Sequence, residues 1–214
     1  GQTGVIASAL AGESEAGGDG DLFEEIIAAC HDNGLLCYAV FSLNAPLGTP
    51  LDLTSPSGRE EAYAAMSGLV RSYDIDGLIL EDAALHSDLP PDYTQYLAYG
   101  GGMGMDAYRR HSVTAAVRET IAAAHALRPN LPVGLSAPAV WETAEHTEGG
   151  LASDGGQPHS LCGASADTLG WLNSGLFRFA LIQNNRLCAY DDASLSFSDV
   201  ANWWRSSVTN EGVS

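Results

Sequence analysis

Two adjacent carboxylic acids, Glu81 and Asp82, follow a short apolar run at residues 78–80. Glycoside hydrolysis usually requires two carboxyl groups, one that donates a proton and one that acts as nucleophile or base. Neighbouring residues of a strand point to opposite faces, so only one of this pair should face a common site, and the sequence leaves open which one. Three loop acids are candidates for a second carboxylate: Glu142, Glu145 and Asp191.

Other polar and aromatic side chains also follow apolar runs, as expected for residues at the ends of strands. Amides and carboxylates can bind sugar hydroxyls, and an indole ring can stack on a sugar ring. The pattern therefore predicts a carbohydrate site formed by the following side chains: Asn44, His86, Ser136, Trp141, Gln183 and Asn185.

Motifs for other chemistries are missing. The sequence has no G-x-S-x-G nucleophile elbow and no G-x-G-x-x-G dinucleotide motif after its first apolar run. Its six histidines and four cysteines show no metal-ligand spacing, so we predict neither a metal nor another cofactor. We predict that Cys30 and Cys37 are buried free thiols, because their surroundings in the sequence are apolar. A disulfide between Cys162 and Cys188 is a hypothesis.

Apolar strand-like runs alternate with helix-like segments, which is the pattern of parallel βα units. The predicted strands are 5–10, 35–41, 78–80, 131–137 and 177–183. The predicted helices are 22–33, 58–72, 106–127, 165 or 167 to 172, and 197–208, with Asp21, Ser57 and Ser198 as caps for the first, second and last. Long loops follow the strands while short ones precede them, which favours a closed barrel with its site at the carboxyl ends over an open doubly wound sheet.

The charge of the chain excludes some classes of ligand. The chain has 214 residues with 27 acidic and 9 basic side chains, no lysine, and a net charge of -18. Such a surface repels phosphate backbones, which argues against nucleic acid and anionic membranes, and it tolerates neutral or cationic substrates. No apolar run approaches the roughly 18 residues of a membrane span.

Several segments together resemble the bacterial glycosyl hydrolase-like (β/α)-barrel family. Residues 73–82 (Y-D-I-D-G-L-I-L-E-D) are similar to the family's Y-D-V-D-G-I-H-F-D-D strand, and 108–113 (Y-R-R-H-S-V) to its W-R-R-x-N-V helix. Residues 129–138 (P-N-L-P-V-G-L-S-A-P), 166–171 (A-D-T-L-G-W) and the pair at 203–204 (W-W) match later motifs in order. The tail after Asp82 differs, and it resembles instead the D-D-A-x-L-x-D of the related barrel that hydrolyses partly de-N-acetylated poly-β-1,6-glucosamine.

The resemblance implies a single α/β domain over residues 1–214, a TIM-type barrel that comprises roughly strands two to six of eight. It implies Asp82 or Glu81 as the catalytic acid, with Arg109 or Arg110 orienting it. It further implies a polysaccharide or oligosaccharide substrate, an extracytoplasmic location, and a second copy or missing segment that completes the barrel. The departures from the family motifs leave two functions open: a glycoside hydrolase for an amino-sugar or cell-surface polymer, and a noncatalytic carbohydrate-binding or surface-assembly barrel.

Overall fold

The computed structural model describes residues 4–8, 21–85, 93–153, 158–185 and 195–214. Its five strands are β1 (Gly4–Ser8), β2 (Leu36–Ser42), β3 (Gly77–Glu81), β4 (Val133–Pro138) and β5 (Phe179–Gln183). They form one sheet in the order β1-β2-β3-β4-β5, and every neighbouring pair is parallel. The alternating βα pattern of the sequence is thus confirmed as an α/β fold.

In the described part of the chain, six α-helices lie between and after these strands: α1 (Leu22–Asp32), α2 (Pro56–Ser72), α3 (Tyr93–Tyr99), α4 (Met105–Leu127), α5 (Thr168–Asn173) and α6 (Phe197–Ser207). Asp21 caps α1 as predicted, since its carboxylate accepts from the Phe23 amide. Two predicted caps were wrong by two residues. Ser55 rather than Ser57 caps α2, where Pro56 can occupy the first helical position, and Ser196 rather than Ser198 caps α6. Helix α3 was not predicted, and none of its residues is buried.

One face of the sheet packs against the helices. Its side chains include Ala39, Leu78, Leu80 and Leu135, all fully buried in one cluster with residues of α2 and α4. The first four residues of β3 are all buried, although successive residues of a strand point to opposite faces. Burial on both faces is typical of the central strand of a parallel sheet.

The opposite face, called the inner face here, carries the alternate residues of the same strands. Tyr38 of β2 lies over Gly77 of β3, and Phe179 of β5 lies over Gly134 of β4, so that a β-carbon at either glycine would lie about 2 Å from a ring. The two rings meet edge to face with their centroids 5.6 Å apart. The glycines therefore make room for an aromatic pair at the amino-terminal half of the inner face.

The free side of β5 is partly paired by the last residue described. The Ser214 amide donates to the Arg178 carbonyl (3.2 Å), and the Ala180 amide donates to the Ser214 carbonyl (3.1 Å). Bonds to the residues on either side of Phe179 are the pattern of a parallel ladder. Among the described helices, none combines the length and the apolar character that crossing a bilayer requires.

Candidate active site at the carboxyl ends of the strands

Glu81 is the last residue of β3, and its carboxylate lies on the inner face. Its Oε1 accepts hydrogen bonds from Ser136 Oγ (3.1 Å) and from Gln183 Nε2 (2.9 Å). Gln183 Nε2 also lies 2.9 Å from Ser136 Oγ, so that residues from β3, β4 and β5 form one network. The network fixes one oxygen of the Glu81 carboxylate at the end of the sheet.

Asp82 follows the strand rather than belonging to it, and its backbone is left-handed, with φ of 48°. Its Oδ2 accepts a hydrogen bond from Ser42 Oγ (2.9 Å). Ser42 pairs in register with Glu81, so it lies on the inner face as well. Strand alternation ends at Glu81, and the backbone turn at Asp82 brings its carboxylate to the inner face as well, although of these two acids Asp82 alone is among the described residues that line the neighbouring cleft.

A cleft of about 390 Å³ opens beside these two acids. Four of the predicted site residues line it: Asn44, Asp82, Ser136 and Gln183. Asn44 is buried and donates from Nδ2 to the Ala84 carbonyl (3.1 Å), which holds the loop after Asp82 against the loop after β2. The sequence-based expectation that polar strand ends converge is thus met for these residues.

Trp141 has partners of its own. Its indole Nε1 donates to Asp167 Oδ1 (3.0 Å), and its ring stacks on Trp203 at 5.9 Å between centroids. Asp167 also caps α5. Trp141 therefore ties the loop after β4 to α5 and α6, and it does not line the cleft.

The remaining predicted site residues lie elsewhere in the described part of the chain. Arg109 is half-buried and its guanidinium lies 3.8 Å from the Asp106 carboxylate, one turn earlier in α4. Arg110 is also on α4, and Asn185 is exposed just after β5. None of these three lines the cleft, and His86 lies outside the described residues.

The candidates for a second carboxylate differ sharply in environment. Glu145 is exposed, and Asp191 lies outside the described residues, as does Cys188 of the hypothetical disulfide. Glu142 is fully buried. Burial raises the pKa of Glu142, but hydrogen bonds from Cys162, the Thr143 amide and His146, together with the charge of His159, outweigh it and lower that pKa to about 2.

The Glu142 carboxylate is therefore ionised at neutral pH and lies in a histidine cluster rather than at the cleft. One ligand atom each of Glu142, His146 and His159 lie within 4.8 Å of one another. Sequence reasoning missed this cluster, because a turn at 143–147 and the return of the loop at 158–160 bring the three side chains together. No regular spacing signals such a contact.

No protein-family model and no curated protein matches the sequence. Solved structures do match, among them the PgaB (BpsB) glycoside hydrolase domain from Bordetella bronchiseptica, with a TM-score of 0.58 at 12% identity over 89% of this chain and 62% of that one. The C-terminal domain of a putative chitinase from Desulfitobacterium hafniense gives a TM-score of 0.54 at 12% identity, over 92% and 50% of the two chains. A mutant catalytic domain 2 of the Ostrinia furnacalis Group II chitinase, in complex with an N-acetylated chitooligosaccharide, gives 0.51 at 12% identity, over 89% and 47%.

These similarities establish the fold. The chain spans about half to three fifths of the length of these glycoside hydrolase domains. The predicted TIM-type barrel, present here in part, is confirmed. In such barrels the site lies at the carboxyl ends of the strands, which is the end where Glu81 and Asp82 are found.

Proposed function

We propose that this protein is a glycoside hydrolase that acts on an amino-sugar polymer of the bacterial cell surface. The observation that carries the proposal is the placement of Glu81 and Asp82. Both carboxylates lie at the carboxyl end of the central strand, both bond to residues of the inner face, and Asp82 lines a cleft of about 390 Å³. A cleft of this size is within the usual range for small-ligand sites.

The substrate class follows from charge and chemistry. A net charge of -18 attracts cationic ligands, and free amino groups of a partly de-N-acetylated sugar polymer are cationic. Amide and hydroxyl groups of Asn44, Ser136 and Gln183 at the cleft suit sugar hydroxyls. The similar chitinase domain with a bound chitooligosaccharide is consistent with an amino-sugar ligand.

The mechanism must account for a cleft in which Asp82 supplies the one carboxyl group among the described lining residues. A sugar with an N-acetyl group can supply its own nucleophile, so a separate carboxylate nucleophile is not required. In the first step, Asp82 donates its proton to the glycosidic oxygen while the acetamido oxygen bonds to C1 and the leaving sugar departs. In the second, water attacks C1, the C1–acetamido bond breaks, and Asp82 takes the proton of that water.

Glu81 has a different part in this scheme. Gln183 and Ser136 hold its Oε1, which fixes a negative charge beside the cleft. Fixed charges aimed at developing opposite charge lower the barrier because they need no reorganisation during the reaction. We assign Glu81 to stabilise the positive charge that develops on the acetamido group and at C1.

The test is digestion of partly de-N-acetylated poly-β-1,6-N-acetylglucosamine and of chitooligosaccharides, read by mass spectrometry. Asp82→Asn should lower turnover by about 10²- to 10⁴-fold, the usual contribution of a general acid. Asp74→Asn is the matched control, because Asp74 is exposed and precedes β3 at the opposite end of the sheet. Equal turnover in the wild type, Asp82→Asn and Glu81→Gln would remove this pair from the mechanism.

A noncatalytic carbohydrate-binding barrel is the second candidate. One observation favours it, which is the lone acid among the described cleft residues. A glycan array that shows binding without cleavage products would decide for this function. In either case we place the protein outside the cytoplasm, which cell fractionation tests.

The open sheet bears on the assembly of the protein. Its outer strands in the described part of the chain are β1 and β5, and Ser214 pairs part of the β5 edge. Unpaired strand edges favour pairing with a further segment or a second copy. We propose that one of these completes the barrel, and sedimentation of the protein distinguishes a dimer from a monomer.

A further inference from the structure

The loop after β4 contains the buried carboxylate of Glu142, whose two oxygens differ in the number of hydrogen-bond partners. Oε1 of Glu142 lies 2.6 Å from His159 Nδ1 and 3.3 Å from His146 Nδ1, and it accepts a hydrogen bond from the Thr143 amide (2.8 Å). Oε2 of the same group is buried, and no described residue gives it a hydrogen bond of regular geometry, although the Cys162 thiol interacts with the carboxylate. A charged oxygen that is buried without such a partner is costly and calls for a specific reason.

The side chains around this carboxylate have the chemistry of metal ligands. Two imidazoles and one carboxylate offer atoms that all lie within 4.8 Å of one another. Ligands of a tetrahedral zinc ion lie about 2 Å from the metal, and therefore about 3.3 Å from one another. The Glu142 contacts at 2.6 Å and 3.3 Å and the outer limit of 4.8 Å bracket that spacing, so small rearrangements of the side chains would bring the three groups to it.

We propose that Glu142, His146 and His159 form a zinc-binding site that is separate from the cleft. Imidazole nitrogen with carboxylate oxygen is a ligand set that suits Zn²⁺. The side chain of His146 is 56% exposed, so the metal can enter from solvent and a water molecule can fill the fourth position. The buried Oε2 of Glu142, which accepts no hydrogen bond of regular geometry from a described residue, would supply a second oxygen to the ion or to that water.

The position of the site indicates its role. The Ala164 amide donates to the His159 carbonyl (3.1 Å), and both Ser160 and Ala164 line the cleft. Glu142 lies at the other end of the loop, where its carbonyl accepts from the Leu151 amide (2.8 Å). A metal held between positions 142, 146 and 159 would fix the loop that forms one wall of the cleft.

The experiment uses tag-free, full-length protein that has been stripped with a chelator and titrated with Zn²⁺ against a chromophoric competitor. We expect one ion per chain, with affinity at least tenfold lower in His146→Ala and in Glu142→Gln. Because the His146 side chain is largely exposed, its variant should fold, which circular dichroism checks. His125→Ala is the control, because this exposed histidine lies at the opposite end of the sheet, where it bonds to the Leu131 carbonyl. The His125→Ala variant should bind Zn²⁺ with the affinity of the wild type.

Two further readouts do not depend on glycan chemistry. Co²⁺ in place of Zn²⁺ should give the intense visible bands of tetrahedral coordination in the wild type and weak ones in His146→Ala. Zn²⁺ at about a hundredfold excess over its Kd should raise the Tm by about 5–10 °C. Failure of the wild type to bind Zn²⁺, or an affinity in both ligand variants equal to that of the wild type, would overturn the site, whether or not the protein cleaves glycans.

Discussion

The left-handed backbone at Asp82 leads us to predict that glycine is more stabilising than alanine at this position, which is the reverse of the usual order. Replacing Asp82 with alanine or with glycine removes the same carboxylate and the same hydrogen bond from Ser42. The two variants differ only in the β-carbon and in backbone freedom. Their difference in stability therefore reports on the backbone conformation alone, with φ of 48° in the folded protein.

The magnitude follows from two opposing terms. A β-carbon in the left-handed region costs roughly 1–2 kcal/mol. Against this, glycine gives the unfolded chain more freedom, which at an ordinary site makes the alanine variant more stable by about 0.4–1 kcal/mol. Subtracting the second term from the first leaves Asp82→Gly more stable than Asp82→Ala by about 1 kcal/mol, which is about 2–4 °C in Tm for a chain of this size.

The assay is urea unfolding of both variants, followed by circular dichroism. Gly68→Ala is the matched control, because Gly68 is exposed within α2 and a β-carbon there would meet nothing within 4 Å. At that helical site alanine should be the more stable residue by about 0.5–1 kcal/mol, which is the opposite sign. If Asp82→Ala equals or exceeds Asp82→Gly in stability, the backbone does not hold Asp82 in the left-handed region, and the account of how this acid reaches the cleft fails.

Two other predictions concern stability away from the cleft. Gly134→Ala should destabilise the protein by about 1–3 kcal/mol because its β-carbon would meet the Phe179 ring, and adding Phe179→Ala should make the same change at 134 nearly neutral in urea unfolding; an undiminished cost in the double variant would contradict the contact. Hydrogen bonds from the Ser196 amide and hydroxyl lower the pKa of Asp199 from 3.8. Since the folded pKa is the lower one, this capping box stabilises the protein above the unfolded pKa and loses its effect as pH falls through the folded one. The difference in stability between the wild type and Asp199→Asn should thus be present at neutral pH and shrink below about pH 4; a difference that does not change with pH would exclude this cause.

Much of the fold could be predicted from the sequence because its strands are apolar runs bounded by turn residues. All five described strands were found for this reason, β1 within the predicted run 5–10 except for Gly4 at its start. Helix α3 was missed, because Tyr93–Tyr99 buries none of its residues and so carries no apolar stripe. The caps of α2 and α6 were misplaced because each helix start offers more than one serine, and only the hydrogen bonds show which one accepts.

Site residues that lie at the ends of strands could be predicted from the sequence. Those whose position depends on the conformation of a loop could not. Gln183 and Ser136 meet Glu81 because the strands that carry them are neighbours in a parallel sheet. The direction of Asp82 depends on a single φ angle, which no residue pattern encodes. The cluster around Glu142 depends on a loop returning to its own start, and such contacts leave no periodicity in a sequence.

The order of the strands has a consequence for how the chain folds. Each strand pairs with the strand before it, so the sheet can grow by adding one βα unit at a time, and no pairing has to wait for a distant part of the chain. Pairings between sequence neighbours close shorter loops and lower the entropy lost before contacts form. The pair β2–β3, joined through α2 and in register from Tyr38 with Gly77 to Ser42 with Glu81, is therefore a suitable folding nucleus. Its amide protons should exchange more slowly with solvent than those of β1 and β5, where the sheet can open one strand at a time.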